Sequence, residues 1–229
     1  LYNVLLSKIS GQEDMVAGMP IFARRHSDLE KIIGMFVNTL AIRTYPKGEL
    51  TFREFFGQVK DVTLAGYENQ EYQFEELVEK VSVTRDVGRN PLFDVMFNLL
   101  NQADYQGDTP GFEKEAEYTH VAKDAKLDLT LTAVDLGGKI FFDFEYCTKL
   151  FKASTIVRFS EYFKTIIRGI KGNIDRQIAD VEIITEDEQQ RILHEFNDSR
   201  SDYDDTKLIY DFFEEQVERT PKNIALVSG

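Results

Sequence analysis

The chain has 229 residues, 42% of them hydrophobic, and a net charge of −13, enough to bury a core of one or two domains and too apolar for wholesale disorder. The acidic balance excludes a nucleic-acid surface, which needs clustered Lys and Arg, and no apolar run approaches the roughly 20 residues that cross a bilayer. A single cysteine, Cys147, excludes an intramolecular disulfide and agrees with a reducing, cytoplasmic setting.

In chain order, Val4, Leu5, Leu6 and Ile9 fall at helical spacing, with Gly11 placed to end the helix. Met15 to Met19 reads as a short buried strand stopped by Pro20, and Ser27 with Glu30 as a capping-box start of a short helix. Phe36 to Tyr45 is rich in β-formers until Pro46 and Gly48 turn the chain. Thr51 caps a helix whose stripe is Phe52, Phe55, Phe56 and Val59. A short helix over Phe74 to Val81 precedes Asn90-Pro91, which forces an extended approach to a strand from Phe93 to Leu100. Residues 101–115 read as a long loop.

Two alternating strands follow, with Leu127, Leu129, Leu131 and Ala133 on one face of the first and Ile140, Phe142, Phe144 and Tyr146 on one face of the second; Gly137-Gly138 supplies the turn. A helix then carries Ile156, Phe159, Phe163, Ile166, Ile167 and Ile170 along one side. After Phe196 the polar stretch FNDSRSDYDDT has the composition of a linker. Beyond it come a helix over Leu208 to Glu218, a stop at Thr220-Pro221, and IALV as the start of a strand. The expected domains are therefore 1–196 and 197–229. Leu1 is not an initiator methionine and the chain stops just past an apolar run, so both ends are expected to continue in a longer polypeptide.

No catalytic constellation is legible. His26, His120 and His194 stand far apart without metal-ligand spacing, His194 reads as solvated, and no HExxH, GxSxG, Walker or dinucleotide motif is present. Cys147 at a strand end reads as a small buried thiol. On residues alone the chain is a mixed α/β lobe with neither a catalytic residue nor a metal site.

Four consecutive blocks nevertheless resemble a known family. QEDMVAGMP (Gln12 to Pro20), IGMFVNTLAIR (Ile33 to Arg43), NQEYQFEELV (Asn69 to Val78) and RDVGRNPLFDVMFNL (Arg85 to Leu99) resemble, in order and spacing, the C-terminal lobe of the condensation domains of non-ribosomal peptide synthetases. KLDLTL and EYCTKLF extend the resemblance, and the tail from Phe196 resembles the linker into an adenylation domain. Glu71, Gln73 and Gly88 depart from the family's usual Asp, Pro and Ser. The Phe36–Thr39 run and the absence of Trp favour the peptide-bond-forming type over epimerisation and heterocyclisation relatives.

The resemblance implies a mixed-sheet α/β sandwich lobe like chloramphenicol acetyltransferase. Such a lobe forms one wall of a tunnel in which a carrier-bound amine attacks a carrier-bound thioester. The catalytic HHxxxDG motif belongs to the N-terminal lobe in cis, so the chain alone is expected to be inactive. The partners implied are peptidyl carrier proteins, whose phosphopantetheine arms bring the only cofactor, and a downstream adenylation domain; nucleic acid and membrane are not implied. Asn38, Met35 and Thr39 are the candidates for facing the tunnel, and Asn38 is equally suited to holding backbone nearby. Asp14, Gly18, Pro20, Gly34, Arg43, Arg85, Asp86, Arg89, Asn90 and Pro91 are expected to shape the lobe. The alternatives are a non-catalytic carrier-binding or scaffold module and a coenzyme A-dependent acyltransferase lobe.

Overall fold

The computed structural model describes residues 1–23, 27–29, 32–34, 36–81, 89–101, 125–135, 137–200 and 207–227. Helix α1 (Tyr2–Ser10) buries Val4, Leu5 and Leu6 and ends at Gly11, whose φ of 71° is a left-handed conformation that favours glycine. The Gly11 N–H donates to the Ser7 carbonyl at 2.8 Å, closing the helix end.

Strand β1 (Met15–Phe22) runs through Pro20 rather than stopping at it. The pairing gives the reason. β1 is antiparallel to β2 (Val37–Thr44) from Met15↔Thr44 to Phe22↔Val37, whereas its parallel register with β3 (Val95–Asn101) is set at Gly18↔Met96. Beyond Gly18 that side of the strand asks residue 20 for no ladder donor, so a proline is tolerated as on an edge. Strand β4 (Leu129–Asp135) is parallel to β3, and β5 (Ile140–Tyr146) is antiparallel to β4, giving the order β2-β1-β3-β4-β5. Leu127 and Phe93, expected within strands, precede β4 and β3. At the β4–β5 hairpin Gly137 and Gly138 have φ of 70° and 125°, and the Gly137 N–H donates to Asp135 Oδ1 at 2.9 Å.

Helix α2 (Phe52–Glu68) starts at the expected Thr51 cap, which the structure extends to a capping box: the Glu54 N–H donates to Thr51 Oγ1 at 3.2 Å and the Thr51 N–H to Glu54 Oε2 at 2.8 Å. The Thr51 cap itself contributes about 1 kcal/mol. Phe52 and Phe55 are buried, but Phe56 is 57% exposed. It lies roughly 100° round the helix from Phe55, on the flank of the stripe, and stacks on Phe52 instead. The first amides of α2 have no intrahelical acceptor. A strap after the last long helix supplies them, with Phe52 donating to the Arg176 carbonyl and Arg53 to that of Ile174, both at 3.1 Å. The same strap buries Ile178 and Val181 and places Asp175 against Arg53, Nε to Oδ1 at 2.6 Å.

Helix α3 (Phe74–Val81) buries no residue and is anchored through Phe74, whose ring meets Phe93 at 5.5 Å. Helix α4 (Ala153–Gly172) buries Ile156, Phe159, Phe163, Ile166 and Ile170, joined by Tyr162, while Ile167 is half-buried. Phe163 meets Phe142 and Phe144 of β5 edge-on at 5.0 and 6.1 Å. Helices α1, α2 and α4 share one core with Met15, Leu129 and Leu131 of the sheet.

These elements form one compact unit, Leu1–Thr185; Glu186–Gly229 is a second. The second holds α5 (Glu186–Gln190), a π turn (Arg191–Glu195) in which His194 is exposed, and α6 (Ile209–Arg219). The strand expected at IALV is not formed, and Ile224, Leu226 and Val227 are each at least 80% exposed. A strand is stabilised by pairing, and no described strand lies in register with this segment. Ser27–Leu29 is a single 3₁₀ turn, and Glu30 lies outside the described residues, as do residues 102–115 of the expected loop, whose first residue, Asn101, ends β3.

Candidate functional site: the open face of the sheet

Alternation along the paired strands sorts the sheet into two faces. One carries Ala17, Leu40, Ile42, Leu129, Leu131 and Ala133, all buried. Gly18 points the other way, and the Phe93 ring fills the space there: a Cβ on Gly18 would lie 2.4 Å from Phe93 Cε2. Phe93, with Phe74 on it, therefore covers the β1 end of the second face. Towards β5 that face opens. Met96, Asn98, Thr130 and Thr132 are half-buried, while Phe141 and Asp143 are exposed. In register, Asn98, Thr132 and Asp143 make one row across three strands, and Met96, Thr130 and Glu145 the next. The rows carry amide, hydroxyl and carboxylate groups, suited to holding a polar ligand and lacking the paired base and nucleophile of a hydrolase.

Asn38 and Thr39 are neighbours on β2 and so point to opposite faces. Asn38 takes the helix side, 6% exposed, and its Nδ2 donates to the carbonyls of Gln70 at 2.8 Å and Tyr72 at 2.9 Å while Oδ1 accepts the Thr39 N–H at 2.8 Å. Its amide is committed to backbone and clamps the turn between α2 and α3. Thr39, half-buried and opposite Pro20, is on the second face, at the far end from its opening towards β5. Gly34 is exposed ahead of β2; Met35, Arg85 and Asp86 lie outside the described residues, as do Gly88, His26 and His120.

The structure brings Asp14 and Arg43 together as a bidentate pair, Nε to Oδ1 at 2.8 Å and Nη2 to Oδ2 at 2.5 Å. The Arg43 hydrogen bond holds the Asp14 carboxyl below its ordinary range; the amide and hydroxyl of Thr51 do the same for Glu54, and Arg53 for Asp175. Depressed carboxylates stabilise the fold above their unfolded values, and that contribution is lost as pH falls through the folded ones. Arg89 pairs with Asp94, Nη2 to Oδ2 at 2.6 Å, and Asn90 Oδ1 accepts the amides of Leu92 and Phe93. Arg89, Asn90 and half-buried Pro91 thus fix the corner that delivers Phe93 to Gly18. Beside them Asp128 is raised, first by desolvation and then by Asp94. Cys147 is half-buried rather than buried, its N–H donating to the Asp128 carbonyl at 3.0 Å.

Asn98, Thr130 and Thr132 were not among the sequence candidates. For the threonines the signal is the alternation of LDLTLTAVD, in which Thr130 and Thr132 alternate with the core residues Leu129, Leu131 and Ala133. Among the described residues no three His, Cys, Asp or Glu side chains gather as a metal site, and no helix is long and apolar enough to cross a membrane.

Comparisons with known proteins agree with this geometry. Residues 1–193 match the condensation-domain family model. The chain is 45% identical over 227 residues to gramicidin S synthase 2 of Brevibacillus brevis, covering 99% of this chain and 5% of that protein. It is 44% identical over 228 residues to bacitracin synthase 3 of Bacillus licheniformis, covering 99% of this chain and 4% of that one. In fold it is similar to a holo four-domain nonribosomal peptide synthetase bound to AMP and glycine, with a TM-score of 0.74 at 22% identity over 99% of this chain and 18% of that one. The X-domain from teicoplanin biosynthesis gives a TM-score of 0.66 at 21% identity, over 79% of this chain and 42% of that one. The five-stranded mixed sheet with its helices is the chloramphenicol acetyltransferase-like lobe of those structures. The chain belongs to the condensation-domain family of the non-ribosomal peptide synthetases.

Proposed function

We propose that residues 1–196 are the C-terminal lobe of a peptide-bond-forming condensation domain, with the open face of the sheet as one wall of its tunnel. The observation that carries this reading is the asymmetry of the sheet: one face buries Ala17, Leu40, Ile42, Leu129, Leu131 and Ala133, and the other presents Asn98, Thr130 and Thr132 half-buried. In the reaction an acceptor amine nitrogen attacks the thioester carbon of a donor. The C–N bond forms, the C–S bond breaks, and the proton lost by the amine ends on the departing pantetheine thiol. A thioester is already activated, so holding the two groups in contact supplies much of the acceleration. The wall residues bind and orient the amide-rich phosphopantetheine arms of the carrier proteins and exclude water. The base that orients the amine belongs to the other lobe, since no two histidines are adjacent here.

Residues 197–229 fit the linker and start of an adenylation domain. The identity to peptide synthetases spans 99% of the chain, tail included, and Ile209, Phe213 and Val217 of α6 form an exposed apolar stripe that such a domain would cover.

Aminoacyl-loaded carrier proteins test the reading. This chain alone yields no dipeptidyl carrier, and the domain restored with a lobe bearing HHxxxDG does. Turnover by the chain alone, or carrier binding without turnover by the restored domain, would contradict it; the second result would leave a docking module.

A further inference from the structure

Gly18 leaves a recess in the second face of the sheet, because it brings no side chain between Ala41 on β2 and Met96 on β3. The edge of the Phe93 ring fills that recess. A Cβ at residue 18 would meet Phe93 Cζ at 2.6 Å and Cδ2 at 2.9 Å as well as Cε2, so a larger residue there displaces the ring. The ring is 5% exposed and fixed in place. Asn90 Oδ1 accepts the Phe93 amide, Arg89 holds the adjoining Asp94, and Phe74 tilts onto the ring at 5.5 Å. Next across the sheet come half-buried Met96, then Thr130 and Glu145. The polar rows of the open face therefore run up to an apolar end made of Met96 and a locked ring.

We infer that Phe93 is a specificity-determining residue, the end stop that limits the apolar side chain of a carrier-bound aminoacyl group. The inference rests on the open face being the tunnel wall. Chemistry divides along that face. Asn98, Thr130 and Thr132 match the amides of the arm and the peptide, whereas Met96 and Phe93 offer hydrocarbon and a thioether that is at best a weak acceptor. Neighbouring strands lie about 4.8 Å apart, so Thr130 on β4 and Gly18 on β1 are separated by roughly 10 Å. A side chain lying across the sheet from Thr130 passes Met96 and meets the ring. Shortening the ring lengthens this apolar end. Apolar sites discriminate by size, one methylene changing kcat/KM by about tenfold or more.

The intact condensation domain, assayed with loaded carriers, tests this by the ratio of kcat/KM for a phenylalanyl over an alanyl group. The group is varied on the donor carrier in one arm and on the acceptor carrier in the other, and the arm whose ratio moves identifies the tethered group that reaches the ring. Phe93→Leu and Phe93→Met, which keep most of the buried hydrocarbon, each raise the ratio by about tenfold or more. Gly18→Ala combined with Phe93→Leu refills the recess and returns the ratio towards that of the wild type. Thermal melting establishes that each variant is folded. A ratio unchanged in both arms, or an equal loss for both side chains, means that the ring only shapes the lobe and overturns the inference. A wild-type domain that forms no dipeptidyl product overturns the reading of the open face with it.

Discussion

Replacing Phe55 by alanine lowers the unfolding free energy by about 3–5 kcal/mol, the cost of truncating a buried aromatic side chain and leaving a cavity. Phe55 is 1% exposed in the core shared by α1, α2, α4 and the sheet. The control is the adjacent residue of the same type. Phe56 is 57% exposed and touches Phe52 alone among the described rings, so Phe56→Ala changes stability by less than about 1 kcal/mol. Urea denaturation reads both as shifts of the midpoint at constant slope. Equal losses at the two positions would mean that α2 is rotated from the orientation described.

Asn38→Ala is the second large effect, about 2–4 kcal/mol, because it removes three hydrogen bonds at once and leaves the Gln70 and Tyr72 carbonyls without their donor. The loss is local in origin. The turn between α2 and α3 is held by this amide, and α3 itself buries no residue, so the amides of residues 70–77 exchange faster while those of α4 follow the global change. If Asn38→Ala kept its stability and its exchange pattern but altered carrier binding, the side chain would belong to the tunnel and not to the clamp.

These two residues show what was legible in the sequence and what was not. Local rules carried the caps, stripes and hairpin, because Thr51, Gly11, Gly137-Gly138 and the Ile156–Ile170 stripe each act within a turn or two of chain. Pro20 lies inside β1 and not at its end, because its tolerance depends on where β3 stops pairing, a fact held some 75 residues away at Met96. The strap that caps α2 has no periodicity to announce it, and its partners lie more than a hundred residues upstream. The family motifs marked Asn38 and Thr39 together, yet one is on the helix face of the sheet and the other on the second face. Alternation separates such neighbours, but which face the helices cover is settled only by the tertiary fold. For the same reason Thr130 and Thr132 could be read as one side of a strand and not as the open side of the molecule. IALV has the composition of a strand, and pairing, which composition does not supply, is missing.

The central claim is that the half-open face of the sheet holds the reacting arms. Thr132→Val is the most direct probe, since it removes one hydroxyl from the middle of the Asn98–Thr132–Asp143 row and keeps the shape of the side chain. In an intact condensation domain assayed with loaded carriers, kcat/KM falls by about tenfold, or roughly 1.4 kcal/mol of lost transition-state binding, while the melting temperature stays within a degree or two. Unchanged kcat/KM in a folded Thr132→Val domain would contradict the account and move the tunnel wall elsewhere on the lobe.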